Sequence, residues 1–157
     1  MLDLIRTINS PSDSSARRWV LLAMRLVVGY GFLAHGFAKL SRGPANFGRL
    51  LHVIGVPLPL ASAWIVTSVE VFGGLAILAG VAVPIASVPL IASMVVAMLT
   101  VHLKYGFSAV NTIGLTPSGP VFGPPGYEID LLYIVCLLVL ARLGPGPYAL
   151  EAFIAER

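Results

Sequence analysis

Glu70 lies near the middle of the apolar run Leu60–Val81. A charge at the centre of a membrane span costs roughly 2.5–3.5 kcal/mol on insertion scales, so a carboxylate there requires a basic partner, a proton or a functional duty. The other long apolar runs also carry ionisable groups, inside them or at their ends. Arg25, His35 and Lys39 fall in the first, His102 ends the third, and Glu128 and Asp130 open the last. These types suit hydrogen bonding and proton exchange with a polar head group at the end of an apolar cavity. His35 or His102 would donate to a head-group oxygen, and Lys39 would stabilise negative charge developing there. Glu128 would exchange protons or hold a histidine tautomer, with Glu70 as the floor. The catalytic candidates are therefore His35, His102, Glu128 and Glu70, and the ligand-binding set is Arg25, His35, Lys39, Glu70, His102 and Glu128. An amphipathic redox ligand such as a quinone fits that inventory.

The elements that position these residues are set by composition. Of the 157 residues 57% are hydrophobic and 11% charged, and the mean hydropathy is +0.92. Soluble domains carry about 25% charge, so much of this surface must face lipid. A span takes about 20 residues, and the spacing predicts four, at about 16–40, 60–81, 84–102 and 127–143, in a single membrane domain. The expected fold is an all-α, four-helix up-down bundle with both termini on one side. Loops 41–59 and 103–126 then share the opposite side. The second of these is rich in Gly and Pro and carries one charge, Lys104, so it is expected to pack on the bundle end as a lid. Met1–Ser10 and residues 148–157 read as amphipathic surface segments.

The first apolar run is too long for a cleavable signal and lacks an A-x-A site, so it is expected to be retained. Five basic residues fall on the side of the termini (Arg6, Arg17, Arg18, Arg142, Arg157) and four on the other (Lys39, Arg42, Arg49, Lys104). That balance favours cytoplasmic termini in an inner membrane. The net charge of +3 is too scattered for a nucleic-acid footprint. Cys136 is the one cysteine, so the chain has no dithiol relay of its own and electrons would come from a partner. No metal-binding spacing occurs. A haem held by His35 and His102 is disfavoured, because such cytochromes usually supply more histidines on facing helices.

On a helical wheel His35 lies at about −80° from Arg25, Lys39 at about −40°, Gly36 at about +20° and Gly29 at about +40°. The basic groups and glycines thus form one stripe, expected to face the bundle. On the second helix Ala63, Thr67, Gly73 and Gly74 share the face of Glu70. Within the bundle the charges of Arg25, Lys39 and Lys104 balance those of Glu70, Glu128 and Asp130. Glu70 or Glu128 is therefore expected to pair with a base of the first helix.

The string RLVVGYGFLAHGFAKL (25–40) resembles the first-helix signature of DoxX-like membrane proteins, and EVFGGLAILAG (70–80) is similar to their second helix. His102, a Gly-rich stretch, Glu128 and GPGPYALEAF (144–153) continue the match in order, over about residues 17–152. Ala149-Leu150-Glu151 stands where Ser-Leu-Asp is usual. The resemblance implies a four-helix integral membrane protein. It places Arg25, His35, Lys39, Glu70, His102 and Glu128 at family motif positions. The family includes thiosulfate:quinone oxidoreductase subunits and members tied to thiol-stress and superoxide-detoxifying assemblies. The expected function is a redox-linked membrane subunit with a polar site at one bundle end, working with a partner oxidoreductase. The alternatives are a non-catalytic scaffold or assembly subunit and a small-solute carrier with Glu70 as its proton site. Lipid, a partner redox protein and self-association are compatible with all three; nucleic acid is not.

Overall fold

The close approach of two glycine-bearing helices organises the chain. In the computed structural model, which describes residues 13–155, α1 (Asp13–Arg42) packs along α3 (Pro59–Ala79). A Cβ added at Gly29 would lie 2.8 Å from Leu78 N, and one at Gly74 would lie 2.7 Å from Leu33 N. Glycine at these positions lets one backbone rest on the other, the usual device where helices associate without a hydrophobic driving force. Gly29 meets Leu78 while Gly36 meets Val71, so the two helices run in opposite directions.

Gly43 (φ 84) turns the chain into the short α2 (Pro44–Val53), which packs on α3. The turn between α3 and α4 (Val83–Ala97) is tight because Gly80 and Ala82 are both left-handed, at φ 68 and φ 47. After α4 the helix widens to a π turn (Met98–His102) and then narrows to a 3-10 turn (Leu103–Tyr105). α5 is Glu128–Leu143 and α6 is Leu150–Ala155. α4 packs on both α3 and α5, and α5 returns to α1 through Phe32 and Tyr133, whose rings sit edge to face at 5.0 Å. The buried core is Leu21, Val28, Phe32, Ile77, Val83, Leu90, Leu137 and Leu140.

Three helical stretches are long and apolar enough to cross a membrane: Ser15–Arg42, Pro59–Ala79 and Val83–Tyr105. Large apolar side chains cover their outer faces, among them Val27, Tyr30, Ile65, Phe72, Ile85 and Val88. So extensive an apolar exterior is a surface for lipid. Inside, Thr67 donates to Ala63 O and Ser87 to Val83 O, each at 2.7 Å, so these hydroxyls are satisfied without water.

One expectation changes. The stretch 103–126 contains a two-stranded antiparallel hairpin, β1 (Thr112–Thr116) with β2 (Gly119–Phe122), so the described chain is mostly, not wholly, helical. Thr116 closes the turn by donating to Gly119 O. The strands are short and their alternation is masked by Gly114 and Pro120, so the stretch reads as loop in the sequence. The last apolar run forms a 16-residue helix, shorter than the three spanning stretches. The surface segment expected at Met1–Ser10 lies outside the described residues.

Gly74→Ala should destabilise the protein despite alanine's better helix propensity, because the new methyl meets backbone on α1. The expected cost is about 1–3 kcal/mol, the range for overpacking. Melting in detergent would show it, with Gly114→Ala, where a Cβ meets nothing within 4 Å, remaining near wild type.

Candidate functional site

Gly36 lets α3 come close enough that an added Cβ would stand 3.2 Å from Glu70 Cβ. The approach brings Glu70 level with Lys39, one turn further along α1. Lys39 Nζ donates to Glu70 Oε2 and stands 5.0 Å from the centroid of the Phe47 ring of α2. Glu70 is 3% exposed. Both partners are charged and hydrogen-bonded, the condition under which a buried pair is tolerated. The pair joins the first two predicted spans, as the charge balance anticipates.

A second pair joins α4 to α5. The π turn re-aims its last residue, His102, toward the head of α5, and such bulges recur at functional positions. His102 Nδ1 and Asp130 Oδ2 are 2.7 Å apart. Asp130 is 2% exposed, whereas the His102 side chain is 25% exposed. With Asp130 as carboxylate, Nδ1 carries the proton, which leaves Nε2 to accept in the neutral ring or donate in the cation. A half-exposed imidazole held by a buried carboxylate is an oriented proton donor and acceptor.

Glu128 serves the 103–126 segment, whose two strands are exposed and pack on each other rather than on the bundle end as the expected lid. Its Oε2 accepts from Ala109 N at 2.8 Å, and its own N–H donates to Phe107 O at 2.9 Å. Gly126 donates to Ser108 O and Tyr127 to Gly106 O, while Phe107 and Tyr127 pack edge to face at 5.5 Å. Gly126 is required there, since a Cβ would collide with the backbone of Gly106 and Phe107. The two ends of the 103–126 segment are therefore fastened to each other above α5, and the hairpin projects from that fastening. Lys104, over the Tyr105 ring, is exposed.

Two candidates stand apart. Arg25 is 2% exposed and donates to Pro145 O at 3.0 Å and Tyr148 O at 3.2 Å, away from the Lys39 end of α1. It clasps the Gly144–Tyr148 segment onto the helices. Gly80 makes room for it, since a Cβ there would stand 2.5 Å from Nη1. His35 is exposed and makes no hydrogen bond among the described residues. The buried positions of α1 from Arg25 onward (Val28, Gly29, Phe32, Gly36) occupy about −60° to +40° on the wheel, and His35 falls just beyond that edge.

Among the described residues no hydrogen bond links any two of His35, Lys39, His102 and Glu128; each of the last three is committed to a different partner. Asp130 enters the sequence-derived charge balance, but its pairing with His102 is not among the sequence expectations. The signal was present: Asp130 is two residues into the helix whose head lies at the His102 end. Sequence reasoning also missed Glu151, whose Oε2 accepts from Ala82 N at 3.1 Å and ties α6 to the left-handed turn before α4. Two recesses lie away from these pairs, one against Leu58–Trp64 and one beside Arg17 and Arg18.

Lys39→Met alone should cost about 3–5 kcal/mol, because it strands the buried Glu70 carboxylate, and Glu70→Gln should cost less, because Lys39 is partly exposed. Lys39→Met/Glu70→Gln should cost less than the sum of the singles, with a coupling of about 0.5–3 kcal/mol. Detergent melting of all four proteins measures the cycle, and strict additivity would remove the pair as a structural constraint.

The model of the DoxX family matches residues 20–103. No curated protein and no solved structure matches the chain. The matched segment carries the Lys39–Glu70 pair, all three apolar spanning stretches almost completely, and His102. It covers more than half of the 157 residues, and the chain belongs to the DoxX family of membrane proteins.

Proposed function

We propose that this DoxX protein is a redox-linked subunit that presents a polar site to the membrane for a quinone or a similar amphipathic ligand. It works with a partner oxidoreductase that supplies the electrons. In this reading α5 is a fourth span, kept upright or matched by local thinning of the bilayer. The chain is one membrane domain in an up-down arrangement in the inner membrane, with both termini cytoplasmic. The 103–126 segment then lies on the opposite side.

The observation that carries the reading is the His102–Asp130 pair. Two-electron reduction of a quinone to a quinol takes up two protons, so its carbonyl oxygens need a hydrogen-bond donor that can also give up a proton. His102 Nε2 is such a group, and Asp130 stabilises the imidazolium without leaving the protein interior. The residues fit a ring that arrives from the lipid, because His102 is half exposed and its neighbours Val101 and Leu103 are apolar. Lys39 and Glu70 set the register of α1 and α3, and Glu128 holds the 103–126 segment in place. His35, exposed on α1, is available to a ligand, a second copy or the partner.

The scaffold reading also has an observation in its favour. Lys39, Glu70 and Glu128 spend their hydrogen bonds inside the protein. The solute-carrier reading requires the Lys39–Glu70 pair to open during transport.

Binding of a quinone analogue to purified protein discriminates among these. Wild type should bind, His102→Ala should lose binding at least about tenfold, and Asp130→Asn should weaken it by a smaller factor through loss of the oriented tautomer. If folded wild type binds no quinone, or both variants bind as wild type does, the scaffold reading stands. Reporter fusions after Ser41, Ala82, Gly119 and Arg157 should place Ala82 and Arg157 on the cytoplasmic side and the other two opposite. Different sides for Ala82 and Arg157 would exclude α5 as a span.

A further inference from the structure

At the end of the bundle that Arg25 clasps, a recess of about 390 Å³ is lined by Arg17, Arg18, Leu21, Leu143 and the Gly144–Gly146 turn. Among the described residues no carboxylate lines it. Beneath the turn lies a third cation, Arg25, which is buried and has no acidic partner among the described residues. Its Nε also lacks a partner. The acid described near this end, Glu151, is engaged with Ala82 N. Two lining arginines and the buried Arg25 thus meet at one turn, with no carboxylate hydrogen-bonded to Arg25 among the described residues.

The level of the recess in the membrane identifies the anion. The first spanning stretch begins at Ser15, so Arg17 and Arg18 stand in its opening turn, where the apolar segment meets the interface. Trp19 and Tyr148 flank the recess with ring centroids 5.9 Å apart and are 54% and 67% exposed. Exposed Trp and Tyr at the end of a span mark the head-group level. Leu21 and Leu143 continue the lining toward the apolar belt, so a molecule seated there has its polar end against arginine and its tail against leucine.

We infer that the recess between Arg17, Arg18 and the Gly144–Gly146 turn is a head-group site for an anionic phospholipid. The phosphate would take paired guanidinium hydrogen bonds from Arg17 and Arg18, the geometry that arginine supplies best. Arg25 adds positive potential from below through the turn that it holds. An acyl chain would run down past Leu21 and Leu143. The site is independent of the quinone reading, since it shares no residue with the His102–Asp130 pair.

Native mass spectrometry of the full-length protein, released from equimolar phosphatidylglycerol and phosphatidylcholine, tests the inference. Wild type should retain phosphatidylglycerol over phosphatidylcholine by about tenfold, the scale expected for two interfacial basic residues. Arg17→Gln/Arg18→Gln should fall to about twofold or less, with folding checked by melting in a neutral detergent. Arg142→Gln removes an exposed cation that is no part of the lining and should keep the wild-type ratio. Arg17→Lys/Arg18→Lys keeps the positive charge that insertion uses, loses the guanidinium forks, and should drop the ratio at least about threefold. It decides the matter if the glutamine variant fails to fold. Millimolar inorganic phosphate should not displace the retained lipid. The inference is overturned if the lysine variant keeps the wild-type ratio, if Arg142→Gln loses the preference as fully as the double variant, or if phosphate alone strips the lipid.

Discussion

A carboxylate buried in an apolar helix must be neutralised where water is scarce, and the rest of the structure depends on how Glu70 meets that requirement. Lys39 can reach it only if α1 and α3 lie almost backbone to backbone. That distance is available only because Gly29, Gly36 and Gly74 carry no side chain at the crossing. The glycines and the ion pair are therefore one device. Close packing without the pair would leave a stranded charge. The pair without the glycines would leave lysine and glutamate too far apart to bond. Once α1 and α3 are fixed in register, α2 folds back so that Phe47 covers Lys39, and the lateral position of α4 follows from the three-residue turn at Gly80.

The two ends of the molecule are finished by different means. At the Arg25 end, a buried cation holds the carbonyls of Pro145 and Tyr148, and Glu151 holds the N–H of Ala82. Ala82 has a Cβ in the left-handed region, which is unfavourable, and the bond from Glu151 helps to keep it there. At the opposite end the fastening is almost all backbone. Gly106, Phe107 and Ser108 accept from Tyr127, Glu128 and Gly126, with the Glu128 carboxylate adding one bond. The first end is a rigid clasp rich in arginine. The second carries an uncharged hairpin on a narrow base, next to the half-exposed imidazole.

The pairing of Lys39 with Glu70 was legible in the sequence because helical spacing, charge balance and small-residue faces all pointed the same way. His35 was misplaced for a simple reason: a stripe drawn by residue type was taken to be wider than the strip that packing can cover. Wheel angle separates Lys39 from His35 by only about 40°, yet the boundary between inside and outside runs between them. An acid in the first turn of a helix has a sufficient local explanation in the dipole, so the sequence by itself does not pair Asp130 with His102. That pairing depends on a π turn that adds no recognisable residue to the sequence. The hairpin was hidden by Gly114 and Pro120, which look like loop and serve here as strand residues.

On the proposed reading, the two polar pairs divide the work between stability and chemistry. In Lys39–Glu70 each partner answers the other, with Phe47 beside the lysine. In His102–Asp130 the carboxylate is consumed and the imidazole keeps one nitrogen. The region that matches the DoxX family ends one residue beyond His102, and Asp130 lies outside it. His102 thus belongs to the same segment as the core ion pair, while Asp130, its hydrogen-bond partner, comes from α5. Changes at the head of α5 can therefore alter the tautomer and direction of the histidine without disturbing the α1–α3 contact on which folding rests. A subunit with a single cysteine cannot move electrons through its own thiols. Its contribution to a redox reaction would be a proton delivered at a fixed place in the membrane, and an imidazole oriented from a separate helix is suited to that task.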